Sequence, residues 1–229
     1  MSEKLATIGE ITAGVAHEIN NPLAVMQGNL EVVRDLMGSQ ADTADVEFKL
    51  LDEQIHRIGT IVTKLLQFSK PSEYAGHLDQ QDPSEMVQDT LPLVQHLLKK
   101  TSIVVEKQFS ATRLVAVSKG EVQQVLVNLI VNAIHAMPEG GRLILRTLDA
   151  ANAAGKPGVG IQVVDSGTGI APELIGRIFD PFVSTKQQGG TGLGLSISQM
   201  LMARQNGSLS VANEAGEGAI FTLWLPEDQ

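Results

Sequence analysis

The chain has 229 residues, a formal net charge of −9 and a pI near 5.0, which argues against a face built for DNA or for an anionic bilayer. Aromatic residues make up only 3% and cysteine is absent, so single-stranded base stacking, disulfides, thiolate zinc sites and thiol catalysis are excluded as organising themes. The 43% apolar fraction supplies a core, and the length suits two modest domains better than one. No apolar run approaches the ~18 residues needed to cross a bilayer, and Met1 to Glu10 carry charges rather than a signal-peptide core. The segment is therefore expected to be soluble and cytoplasmic, with no nucleic-acid partner and no direct membrane contact. Its helical pattern is already running at Leu5, so it is expected to belong to a longer protein, whether soluble or anchored through other residues.

Residues 3 to 37 read as one helix. Leu5, Ile8, Thr12, Val15, Ile19, Pro22, Met26, Asn29 and Val33 recur at alternating steps of three and four, as in a coiled-coil seam. Residues 38–45 supply turn and cap residues. A second seam runs through Phe48, Leu51, Ile55, Ile58, Val62 and Leu65 and stops near Pro71. The two helices form a hairpin, and two hairpins pairing as a four-helix bundle would cover its remaining apolar stripe, so a homodimer is expected. The expected division is 1–70 for the hairpin, 71–79 for a linker and 80–229 for a second domain.

In that second domain Asp82, Pro83 and Glu85 mark a helix start. Strands are expected at 103–109, 114–117, 143–148, 159–164, 208–213 and 219–225, with helices over 119–137 and 192–205. This order suggests an α/β sandwich with one helical layer, giving α plus α/β for the whole chain.

Four groups of residues carry chemistry. His17 stands about 200° around the first helix from Val15 and from Ile19, and so faces away from the seam. Glu18 follows it, Asn21 lies one turn on, and Pro22 should bend the helix just below. A neutral imidazole can attack phosphorus if a carboxylate orients or takes its other proton. Asn128 and Asn132 share a face of the 119–137 helix, and the Asn132 amide oxygen suits Mg²⁺. Asp165 closes an apolar strand and is followed by Gly167 and Gly169. A carboxylate there can accept from the exocyclic amine of adenine while the glycines let backbone approach the base. Gly190, Thr191, Gly192, Leu193 and Gly194 open a helix, where backbone N–H groups bind phosphate, and Lys186 precedes them. No Gly-x-x-x-x-Gly-Lys-Ser/Thr run is present, so this is not a P-loop.

Taken in order, the His-Glu-x-x-Asn-Pro helix, the Asn-x-x-x-Asn helix, Asp-x-Gly-x-Gly, Phe179-Asp-Pro-Phe182 and Gly-x-Gly-x-Gly resemble the H, N, first-glycine, F and second-glycine boxes of sensor histidine kinases. The resemblance covers roughly residues 5 to 225 and leans towards the nitrogen-regulation subgroup. It implies a dimeric phosphoacceptor bundle followed by an ATP-binding domain of the gyrase, MutL and heat-shock chaperone kind. It also implies autophosphorylation of His17 from ATP with Mg²⁺, transfer to an aspartate of a response-regulator receiver domain, and a phosphatase activity. By the same resemblance Glu18 is the general base, Asn21 holds the acceptor and positions water, and Asn132 is the metal ligand beside Asn128. Asp165, Gly167 and Gly169 read adenine, Phe179 and Phe182 anchor a lid, and Lys186 with residues 190 to 194 meets the phosphates. His135 falls at a position where relatives carry a basic or polar residue near the phosphates, and an ordinary helix-surface histidine accounts for it equally well. An ATP-driven clamp and a non-catalytic dimeric scaffold are the competing readings. Against the clamp, Asn128 stands where hydrolysing cousins carry a glutamate, and an amide cannot activate water as a base.

Overall fold

The computed structural model describes residues 2–69, 78–183, 192–213 and 218–228, with side chains from Ile19 onward apart from Ser39, Arg57, Thr60, Ile61 and 63–69. The chain divides into two compact units, Met1–Tyr74 and Ala75–Gln229.

The first unit is a helical hairpin. α1 spans Ser2–Met37, a 3₁₀ helix spans Gly38–Ala44, and α2 spans Asp45–Ser69. Gly38, at φ +53, supplies the left-handed residue that turns the chain out of α1. Among described side chains, Leu23, Phe48 and Val62 are buried, while Arg34 lies 4.9 Å above the Phe48 ring and pairs with Asp52 at 3.2 Å. This splits the expected seam. Phe48 and Val62 of the expected set are buried, Met26, Val33, Leu51 and Ile58 are exposed, and on α1 the buried side chain is Leu23, outside that set. The alternating three-and-four pattern follows the wider apolar arc of the helix, and the facing helix covers only one side of that arc.

The second unit builds on a five-stranded sheet in the order β2-β4-β5-β7-β6, with β2 Ile103–Phe109, β4 Gly141–Ala151, β5 Pro157–Asp165, β6 Ser208–Asn213 and β7 Ala219–Pro226. Among the described residues only the β2–β4 pair is parallel, and the chain between those strands contains α4, Lys119–Ala136. A small antiparallel pair, β1 Asp79–Gln81 with β3 Val115–Val117, sits outside the sheet, so Asp79 belongs to a strand rather than to the expected linker. α3, Pro83–Leu98, starts as expected, with the Asp82 carboxylate accepting from the Ser84 N–H at 2.7 Å.

The core is a set of rows across the sheet. Leu145, Val163 and Phe221 lie in register, as do Thr147, Ile161 and Leu223, and all are buried. Val122, Val125, Leu126, Leu129 and Ile130 of α4 are fully buried in the same unit. Each such side chain contributes about 1.5–3 kcal/mol by leaving water. The one polar member of the Thr147 row is answered by α3, through a 2.9 Å bond between the Ser84 and Thr147 hydroxyls. Gly158 lies under Trp224, where a Cβ would run into the indole, and the indole N–H donates to the Ala150 carbonyl at 3.2 Å.

Candidate functional site

Asp165 ends β5 on the same face as Val163 and Ile161, so an apolar row terminates in a carboxylate that is 4% exposed. Its Oδ1 accepts from the Gly167 N–H at 2.9 Å and the Ala219 N–H at 3.3 Å, and its carbonyl accepts from the Gly218 N–H at 2.7 Å. No protein hydrogen bond reaches Oδ2 among the described residues. Burial raises its pKa above the ordinary carboxylate value, and the two backbone N–H groups pull partly in the other direction. The carboxylate thus keeps one oxygen for an external donor. Gly167 is required by packing, since a Cβ there would lie 2.6 Å from the Ala136 carbonyl oxygen. Gly169 turns the loop at φ +69.

Asn128 and Asn132 lie one turn apart on α4. The Asn128 Nδ2 donates to the Ser198 hydroxyl at 2.9 Å, and that hydroxyl donates to the Gly194 carbonyl at 2.9 Å. Because the serine proton is committed to a carbonyl, the asparagine must present its NH₂ group, which fixes the amide's orientation. A Cβ on Gly194 would stand 2.5 Å from the Asn128 Oδ1. The glycine expected to admit phosphate therefore also makes room for the neighbouring amide. Asn132 is half-buried with no protein hydrogen bond to its side chain among the described residues, which leaves a hard oxygen donor available. Among those residues no group of three or more His, Asp or Glu forms a metal cage. An ion held by one protein oxygen together with phosphates and waters fits this donor set, as Mg²⁺ sites often do. His135 is exposed.

A one-turn helix, α5, spans Pro172–Ile175, and the expected helix after the second glycine run is α6, Gly194–Arg204, with buried Leu193 at its N-cap position. Gly192, at φ +65, accepts from the Phe182 N–H at 3.0 Å, and a Cβ there would strike the Phe182 backbone. Phe182 itself has φ 66 and is 70% exposed, whereas Phe179 is half-buried. Lys186, Gly190 and Thr191 lie outside the described residues. Sequence reasoning missed Ser198, and it missed Glu121, whose buried carboxylate takes the Gln205 amide and lies 3.0 Å from Arg204. The two pairings span 70 and 84 positions, and no local pattern signals them.

His17 and Glu18 lie in the backbone of α1, and their side chains are outside the described residues. Asn21 and Pro22 are exposed, and the helix runs on past the proline to Met37.

Residues 7–73 match the His Kinase A phospho-acceptor domain, and residues 118–229 match the histidine kinase-, DNA gyrase B- and HSP90-like ATPase family. The chain belongs to the histidine kinases, carrying the phosphoacceptor and ATPase-type domains of their catalytic core. It is 33% identical over 227 residues to sporulation kinase C of Bacillus subtilis (strain 168), covering 98% of this chain and 50% of that protein. It is 33% identical over 228 residues to the signal transduction histidine-protein kinase AtoS of Escherichia coli (strain K12), covering 98% and 36%. The chain thus spans half or less of these relatives. Among solved structures, full-length ShkA in complex with AMPPNP superposes with a TM-score of 0.77 at 26% identity, over 96% of this chain and 46% of that one. The kinase ThkA, solved with the response regulator protein TrrA, gives 0.69 at 26% identity, over 99% and 64%.

Proposed function

We propose that this segment is an ATP-dependent protein-histidine autokinase that phosphorylates His17 and passes the phosphoryl group to an aspartate of a response-regulator receiver domain. The observation that carries the reading is Asp165: a buried carboxylate at a strand end with Oδ1 saturated by backbone and Oδ2 left for a donor. The exocyclic amine of adenine is such a donor. An imidazole nitrogen of His17 forms the N–P bond to the γ-phosphorus as the bond from that phosphorus to the β,γ-bridging oxygen breaks and ADP leaves. Glu18 orients or accepts the proton on the other ring nitrogen. The Asn132 oxygen is the proposed ligand of Mg²⁺, which when bound neutralises charge on the phosphates. Lys186 and residues 190 to 194 are the proposed phosphate side, with His135 beside them.

The working unit is a homodimer. Met26, Val33, Leu51 and Ile58 are apolar, exposed and set at helical spacing, and a second hairpin would cover them. The functional division is proposed as a hairpin over 1–70, a linker over 71–78 and a second domain from the β1 strand at Asp79 to 229, in a cytoplasmic setting. Asn21 is proposed to hold the acceptor and to orient water in a phosphatase reaction on the partner's aspartyl phosphate. Incubation with γ-labelled ATP and Mg²⁺ tests the first step. An acid-labile, base-stable label that then moves to a receiver domain is expected, and a label stable in acid would refute a phosphohistidine.

A further inference from the structure

The loop from Asp165 to Ile170 is fastened at both ends to a single hairpin, β6–β7. At its start the Gly218 and Ala219 N–H groups donate to the Asp165 carbonyl and Oδ1. At its far end the Asn213 side chain engages one residue twice. Its Oδ1 accepts from the Ile170 N–H at 2.9 Å, and its Nδ2 donates to the Ile170 carbonyl at 2.6 Å. A backbone N–H can only donate and a carbonyl can only accept, so the amide has one possible orientation. Asn213 and Ala219 are register partners, the last pair of the β6–β7 ladder, so both fastenings meet at one end of that ladder. Between them Gly169 sits at φ +69, and a Cβ there would lie 3.2 Å from the Asn213 Oδ1.

From this geometry we infer that Asn213 is a positioning residue for the nucleotide base: it sets the 167–170 backbone against the Asp165 carboxylate without touching the nucleotide itself. The inference rests on the reading of Asp165 as the adenine acceptor. A loop free to swing at Ile170 would let the base shift relative to Oδ2, so the hydrogen bond to the amine would lose alignment. Asn213 is exposed, so its truncation opens no cavity in the core.

The test measures ADP, ATP and GDP affinity by calorimetry for the parent, Asn213→Ala, Asn213→Asp and Asp165→Asn, with melting temperatures alongside. Asn213→Ala is expected to weaken ADP and ATP alike, roughly tenfold, for two hydrogen bonds lost. The adenine-over-guanine ratio should fall with it, while melting stays within a few degrees. Asn213→Asp keeps the acceptor but sets a carboxylate against the Ile170 carbonyl, so it should bind no better than the alanine variant. If Asp165→Asn weakens binding and both Asn213 variants match the parent, the positioning role is wrong and the adenine reading stands. If Asp165→Asn itself binds like the parent, the adenine reading fails. In the double variant Asn213→Ala with Asp165→Asn the losses should fall short of additive, and full additivity would overturn action through Asp165.

Discussion

The two units of this chain solve the problem of burial in opposite ways. The sandwich closes its core by itself: rows such as Leu145, Val163 and Phe221 are buried, and α4 has a run of fully buried residues in the same unit. The hairpin buries few of its described apolar side chains and leaves Val25, Met26, Val32, Val33 and Leu36 in the open. A nucleotide site needs fixed geometry and sits in the unit with a finished core. On the proposed reading the phosphoacceptor helix has to be reached by a receiver domain, and the exposed stripe of its unit is left for a second hairpin to cover.

The largest expected effect on this contrast is a charge placed in the open stripe. Val33→Asp together with Ile58→Asp should convert the protein from dimer to monomer in sedimentation and strip helical signal from the hairpin. ATP binding by the sandwich should survive. Loss of nucleotide binding in that variant would break the division between the units. Next comes the closed core, where Leu129→Ala should cost about 2–5 kcal/mol in urea unfolding of the sandwich. The corresponding change at Leu36, which is 82% exposed, should move stability by no more than about 0.5 kcal/mol in the monomeric background.

Asp165 offers a smaller effect whose sign is informative. Its folded pKa lies above the ordinary carboxylate value, so the folded chain binds the proton more tightly than the unfolded one. The ionised form therefore costs stability, fully above the raised value and not at all below the ordinary one. Asp165→Asn should melt no lower than the parent at neutral pH, and any gain should fade as pH falls through the carboxylate range. Over the same series ATP affinity should drop about tenfold or more at neutral pH. A variant that is both less stable and unaltered in binding would make Asp165 a structural residue. The smallest effect is expected at Arg34, where removing a half-exposed ion pair and its stacking on Phe48 should cost about 0.2–1 kcal/mol and weaken with salt.

Much of this was legible in the sequence because it is written locally. The Asp82 cap, the apolar run of β5 and the glycines before α6 each announce an element within a few residues. The carboxylate at the end of β5 could be singled out because it follows that run directly. What stayed hidden depends on distant partners. β1 is three polar residues whose strand character comes from pairing with β3. Leu23 and Arg34 were missed because a heptad count marks an apolar arc without saying which edge of it the neighbouring helix covers. Ser198 and Asn213 look like ordinary surface-type residues until the fold sets them against Asn128 and Ile170.

One measurement bears most directly on the division of labour between the units. In His17→Gln, ATP affinity and phosphoryl incorporation are followed on the same preparation. Retained affinity with complete loss of the acid-labile label is expected, since binding belongs to one unit and acceptance to the other. An acid-labile label that persists in this variant would contradict the assignment of His17 as the acceptor.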